Sequence, residues 1–173
     1  MTQAQAIDLI KNVSIDHSAP QFWADLGCGK GMFSIALASL LPERSRILCI
    51  DKTSYHFPPN TQNNVILEFR KMDFTQDSIS DSKLDGILMA NSLHFTPDKA
   101  ELIPRLSAFL KYDGCFLIIE YDTDQSSWWN PYPIPYPELQ RLFRDAGFSS
   151  MRKIGYRPSS WGPKNMYVCE IRR

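Results

Sequence analysis

Short apolar runs alternate with stretches of helical periodicity along the chain, and this rhythm predicts a layered fold. From Ala4 to Val13 the apolar residues fall at Ala6, Ile7, Leu9, Ile10 and Val13, the spacing of an amphipathic helix within residues 1–17. Gln21-Phe22-Trp23-Ala24-Asp25-Leu26 follows as a buried strand that runs into glycines. Met32 to Leu41, rich in Ala and Leu, reads as a helix that stops before Pro42. Arg46 to Asp51 holds four consecutive apolar residues and ends on an acid, the pattern of a strand covered on both faces. Val65–Arg70 and Leu84–Ala90 supply a third and a fourth strand; Pro97 to Leu110 reads as a helix stopped at Asp113-Gly114. Cys115–Glu120 is a fifth strand, Tyr136 to Ala146 a helix closed by Gly147, and Ser150–Tyr156 with Asn165–Ile171 a pair of strands joined by a turn. Strands alternating with helices, then a terminal hairpin, predict a mostly parallel α/β sheet.

One stretch breaks the rhythm. Trp128-Trp129-Asn130-Pro131-Tyr132-Pro133-Ile134-Pro135-Tyr136-Pro137 places a proline at every second position from Pro131, so neither a central strand nor a helix can form there. An extended, stiff loop is expected over residues 123–137.

Composition narrows the classes of function. The chain has 173 residues, 43% hydrophobic and 22% charged, with 19 basic residues against 19 acidic ones. That suits one domain spanning 1–173 and excludes general disorder, and zero formal charge makes nucleic acid an unexpected partner. No apolar run approaches the ~18 residues of a membrane span, and the polar start Met1-Thr2-Gln3-Ala4-Gln5 lacks the pattern of a signal peptide. The expected location is the cytoplasm. Cys28, Cys49, Cys115 and Cys169 are scattered, as are His17, His56 and His94, so neither a metal site nor a disulfide framework is expected.

The sharpest chemical signal is Asp25-Leu26-Gly27-Cys28-Gly29-Lys30-Gly31 between the first strand and its helix. Glycines there permit a tight turn and a close approach of ligand to backbone, at the strand end where open α/β sheets bind ligands. A dinucleotide fold would need glycine at 32, which is Met32, and Asp25 would repel a pyrophosphate. An acid suits a cationic ligand instead. Asp51, 20 residues after Gly31, can accept bonds from both hydroxyls of a ribose. Asp73 can accept a hydrogen bond from the exocyclic amine of a purine, with Phe74 against the ring. Acids for an ammonium, a ribose and an adenine together describe S-adenosylmethionine.

Asp25-x-Gly27-x-Gly29-x-Gly31, Asp51 ending the second strand, Met72-Asp73-Phe74 after the third and Ala90-Asn91-Ser92-Leu93-His94-Phe95 after the fourth resemble the class I S-adenosylmethionine-dependent methyltransferases. The resemblance implies a Rossmann-like, doubly wound sheet of seven strands with a C-terminal antiparallel hairpin. It also implies that the backbone of Gly27, Cys28, Gly29 and Gly31 faces the methionine portion of the cofactor, with Asp25 near its amino group. Asp51, beside Lys52, would hold the ribose; Asp73 with Phe74 would hold the adenine; Asn91 and Ser92 would line the sulfonium side.

Methyl transfer from a sulfonium is an in-line displacement in which alignment can supply up to ~7–11 kcal/mol of the barrier, so no catalytic side chain is strictly required. Where the acceptor needs a base, the candidates are His94 after the fourth strand and Glu120, Tyr121 or Asp122 after the fifth, with His94 first because imidazole titrates near neutrality. His94 packed in a loop against Phe95, and Tyr121 capping its strand, are the structural alternatives. Trp128, Trp129 and Tyr132 read either as an aromatic lid over the acceptor pocket, joined by Trp161, or as a hydrophobic strap on the core. Asn130-Pro131-Tyr132 is similar to the Asn-Pro-Pro-aromatic motif of amino-methylating nucleic-acid enzymes, but in those enzymes the motif follows strand four. The expected acceptor is a small molecule. A protein or structured RNA recognised through Arg141, Arg144, Arg152 and Lys153, or a non-catalytic cofactor-binding role, are the alternatives.

Overall fold

The computed structural model describes residues 1–56, 61, 63–77, 79, 83–158 and 165–173. Its elements run α1 (Gln3–Ile10), β1 (Phe22–Leu26), α2 (Met32–Ala38), β2 (Arg46–Asp51), β3 (Ile66–Lys71), β4 (Leu84–Ala90), a 3₁₀ turn (Leu93–Phe95), α3 (Lys99–Ser107), β5 (Leu110–Tyr121), α4 (Tyr136–Asp145), β6 (Ser150–Arg157) and β7 (Met166–Arg172). The seven strands form one sheet in the order β3-β2-β1-β4-β5-β7-β6. The first five pair in parallel, and β7 inserts antiparallel between β5 and β6. The expected α/β, Rossmann-like, doubly wound sheet with its antiparallel C-terminal pair is therefore present.

Alternation along the central strands sorts the core into two layers. Ala24 and Leu26 of β1, with Phe116 and Ile118 of β5, face α3 and α4, where Phe143 and Phe148 pack edge-on to Phe116. Trp23, Leu117 and Ile119 face the opposite way and join Ala6, Leu9 and Leu37 of α1 and α2. An edge strand exposes its side chains, and β3 accordingly carries the charged set Glu68 and Arg70, with Arg46 of β2 bonded to Glu68.

Two boundaries depart from the pattern. The N-terminal helix, opened by a capping box between Thr2 and Gln5, closes at Ile10 and does not extend through residues 1–17. The helix expected to reach Leu110 ends at Ser107, and Asp113-Gly114 lies inside β5. Tertiary pairing explains the second case: Leu110 pairs with Leu84 and Cys115 with Gly86, so four residues of β5 bulge opposite Asp85. Asp85 holds the irregularity, taking Lys111 Nζ at 2.6 Å and the Phe22 amide at 2.7 Å.

β1 lies between β2 on one side and β4 on the other, so the chain crosses over in opposite senses from it. At such a switch point the connections diverge and leave a crevice beyond the carboxyl ends of the strands.

Candidate cofactor and acceptor site

The chain turns sharply after Leu26 because Gly27, Gly29 and Gly31 all adopt left-handed backbone, at φ 77°, 52° and 78°. The Gly27 and Cys28 amides both donate to the Ile50 carbonyl, at 2.8 and 3.0 Å, which ties the turn to β2. At Gly27 space is as restrictive as conformation: a Cβ would lie 2.5 Å from that of Ser92. Asp51 secures the other side of the turn, accepting the Gly29 amide at 2.9 Å on Oδ2 and the Thr53 amide at 2.9 Å on Oδ1. Each oxygen retains a further lone pair for a ligand hydroxyl.

β4 leads into Asn91, which adopts φ 53° and donates its amide to the Ile119 carbonyl at 2.8 Å. The Ser92 hydroxyl reaches back to the Leu26 carbonyl at 2.6 Å. After β3, Asp73 accepts the Thr75 amide and hydroxyl on Oδ1 and pairs with Lys52 at 2.9 Å on Oδ2. Burial works against ionisation of Asp73, but the bonds from Thr75 and Lys52 prevail and hold its carboxyl below the usual value.

These strand ends enclose a cleft of about 880 Å3. Gly27 lines it from β1, Asp51 and Lys52 from β2, Asp73 and Phe74 from β3, and Asn91 and Ser92 from β4. Sequence reasoning missed the far wall, Phe95, Thr96, Glu101 and Arg105. Arg105 donates to the Phe74 and Thr75 carbonyls at 2.8 and 2.7 Å and so fixes the loop that carries Asp73. On the linear chain it is an ordinary basic residue of a polar helix face.

Residues 24–116, over half of the chain, match the methyltransferase domain family. The chain belongs to this family.

Among curated proteins none matches the sequence significantly. Among solved structures, the Burkholderia thailandensis 1,6-didemethyltoxoflavin-N1-methyltransferase, with 1,6-didemethyltoxoflavin and S-adenosylhomocysteine bound, is 21% identical; the match covers 99% of this chain and 77% of that one at a TM-score of 0.69. An S-adenosylmethionine-dependent methyltransferase from Methanosarcina mazei is 17% identical over 94% of this chain and 95% of its own, at 0.68. The YcgJ protein of Bacillus subtilis is 13% identical over 98% and 99%, at 0.71. The methyltransferase domain implies S-adenosylmethionine as methyl donor, and this structure fits it. Buried acceptors normally find partners, yet Asn91 Oδ1, at the cleft wall, is buried with none, which suits a ligand that carries a hydrogen-bond donor.

Asp25, Cys28, Gly29 and Gly31 are not among the residues lining the methyltransferase cleft; they form and support the turn at its edge. Asp25 is 1% exposed, and its Oδ2 accepts the Ser34 hydroxyl of α2. Burial raises its carboxyl to about 7, against the Ser34 bond and with a smaller push from the Asp51 charge. The Cys28 thiol is also pushed well up, first by its contact with Cys49 and then by burial, so it is a packed apolar group.

The candidate base and lid residues sit elsewhere. His94 is 2% exposed, with Nδ1 2.7 Å from Glu120 Oε2 and its ring 4.3 Å from that of Phe95; it does not line the cleft. Tyr121 meets Trp129 edge-on at 5.2 Å, outside the cleft lining, and burial raises its phenol. The aromatic and proline stretch is tied to its surroundings at three points: Tyr132 donates its amide to the His94 carbonyl, Tyr167 its hydroxyl to the Ile134 carbonyl, and Tyr136 its amide to Asp122. Trp128, Trp129 and Tyr132 are all absent from the cleft lining, and the side chains of Trp128 and Tyr132 are exposed. Trp161 lies outside the described residues. Trp128 is 92% exposed, so Trp128→Ala should change neither melting temperature nor cofactor affinity by more than about 0.5 kcal/mol, readable by thermal melts and titration calorimetry. Of the basic residues, Arg152 is committed to Asn12, Ser14 and Glu170, and Lys153 to Asp122 and the Tyr136 ring.

Proposed function

We propose that the protein transfers the methyl group of S-adenosylmethionine to a small-molecule acceptor at the Asn91 end of the cleft. The observation that carries this reading is the meeting, at one switch point, of the Gly27 turn, carboxylates at the ends of β2 and β3, and the unpartnered Asn91 oxygen. In this reading Asp51, flanked by Lys52, takes the ribose hydroxyls, while Asp73 takes the adenine amine and Phe74 lies against the ring. The Gly27–Gly31 backbone, with Asp25 beneath it, receives the methionine portion, and Asn91 and Ser92 border the sulfonium. The bound cofactor supplies an electrophilic methyl group. The protein's own contribution is alignment and exclusion of water, which can account for up to ~7–11 kcal/mol.

The ionisable groups lining the cleft among the described residues are carboxylates, Lys52 and Arg105, with His94 and Tyr121 set apart. The acceptor best suited to such a wall carries a free lone pair at neutral pH, as an uncharged amine, a ring nitrogen or a thiolate does. The cleft volume suits small ligands, whose pockets run to about 300–1,000 Å3. A neighbour in fold, the Burkholderia enzyme, is named for a small-molecule substrate. Among the described residues no helix is long and apolar enough to cross a membrane, and four buried free thiols suit the reducing cytoplasm, where we place the protein.

Titration with S-adenosylhomocysteine tests the cofactor half of the proposal. Asp51→Asn should weaken binding roughly ten- to a hundredfold, the loss of one charge-assisted bond of about 1.5–3 kcal/mol. Absence of binding by the wild-type protein at millimolar concentration would sink it. Release of S-adenosylhomocysteine on incubation with panels of amines, heterocycles and thiols tests the acceptor half; turnover only with protein or RNA would overturn the small-molecule assignment.

A further inference from the structure

Glu120 closes β5 with a carboxylate that is 1% exposed, a costly group to bury unless its oxygens are fully used. Both are used by one residue: Oε1 accepts the backbone amide of His94 at 3.2 Å, and Oε2 meets its ring Nδ1 at 2.7 Å. His94 sits in the 3₁₀ turn after β4, whose first amides have no partner within the turn itself. The same segment is held at three further points, by the Asn91 amide on Ile119, the Ser92 hydroxyl on Leu26 and the Tyr132 amide on the His94 carbonyl. Between these anchors it presents Asn91, Ser92, Phe95 and Thr96 to the cleft.

We propose that Glu120 is a positioning residue for methyl transfer: through His94 it sets the post-β4 segment at the spacing that lets Asn91 and Ser92 receive the cofactor. The inference rests on the cofactor assignment above and assigns to Glu120 and His94 a role other than proton transfer. An apolar residue at 120 could fill the space but could not hold the His94 amide and ring together. The segment would then be free to shift against Gly27, where Ser92 already sits at contact distance. Other charged or titratable groups reached by the Glu120 carboxylate are Lys99 from α3, Tyr121 on its own strand and Tyr167 from β7.

Two variants separate positioning from mere stability, each read by calorimetric titration with S-adenosylhomocysteine beside a thermal melt. Glu120→Asp keeps the carboxylate but is one methylene too short to reach both His94 atoms, whereas an apolar residue would leave two buried groups of His94 without an acceptor and destabilise the fold. The Asp variant should stay folded and bind at least tenfold more weakly. Glu120→Gln keeps one oxygen for the His94 amide and a nitrogen of the same shape against Nδ1, so it should hold the segment and bind within about threefold of the wild type. A folded Asp variant that binds as the wild type does, or a Gln variant that binds as weakly as the Asp variant, overturns the positioning role. Wild-type protein that binds no S-adenosylhomocysteine overturns the cofactor assignment itself, and this inference with it.

Discussion

Gly27→Ala should cost about 2–5 kcal/mol of stability and, with it, measurable cofactor binding. Two causes add. The left-handed backbone at φ 77° disfavours any residue with a Cβ, by about 1–2 kcal/mol. The new methyl would stand 2.5 Å from Ser92 Cβ, and forcing such a contact into packed surroundings costs about 1–3 kcal/mol more. Relief is hard to find, since the Gly27 amide is bonded to Ile50 and the Ser92 hydroxyl to Leu26. Gly29→Ala is the control: its φ of 52° carries the conformational cost, but nothing lies within 4 Å of the added methyl. Thermal melts of the two variants should differ by several degrees, and only Gly29→Ala should retain binding in a titration with S-adenosylhomocysteine. Equal melting temperatures would show that the contact with Ser92 relaxes at no cost.

Asp25→Asn should remove a pH dependence from both stability and binding. The wild-type carboxyl moves from an ordinary 3.8 to about 7 on folding, chiefly through burial. Between those values the folded protein holds a proton that the unfolded chain has released. The stability that Asp25 contributes is therefore greatest at the acid end of the window, falls as pH rises through it, and is flat again above about 7. A shift of this size corresponds to on the order of 4 kcal/mol. The carboxamide of the variant cannot ionise and can keep the Ser34 bond, so melts recorded from about pH 5 to about pH 8 should lose this slope, and the variant should outlast the wild type at the alkaline end. Binding should move in the opposite sense. In the proposed cofactor pose a cationic amino group beside Asp25 favours the ionised carboxyl, so the wild type should bind more tightly as pH rises, releasing a proton as it does. The variant should bind about tenfold more weakly at alkaline pH and show no proton release when calorimetry is repeated in buffers of different ionisation enthalpy. A wild-type melting profile that is flat across this range would overturn the assignment of a raised value to Asp25.

The two variants probe features that were legible to different degrees. Gly27 could be singled out in the linear chain because three alternating glycines after a strand have few structural excuses. Its need for glycine is nevertheless twofold, and the second reason, the approach of Ser92, joins residues 65 positions apart. Asp51 was likewise readable, since an acid ending an apolar run is pinned to the carboxyl edge of the sheet, and Asp73 by its place just beyond the third strand. Asp25 was readable as an acid in a motif, but its direction was not. Alternation in β1 turns it toward α2 and Ser34, out of the cleft lining. His94 and Trp128 were readable only as residue types; the fold places the first in the interior and the second in solvent.

Local order was therefore written into the chain by short-range physics. Apolar periodicity set the strands and helices, glycine and proline punctuated them, and the acids at strand tips marked the end of the sheet where a ligand enters. Folding alone could bring Glu120 beneath His94, Arg105 onto the Asp73 loop and the Tyr132 amide onto the His94 carbonyl. Each of these contacts joins distant residues through hydrogen bonds whose geometry depends on how the layers pack, and residue type carries no information about that.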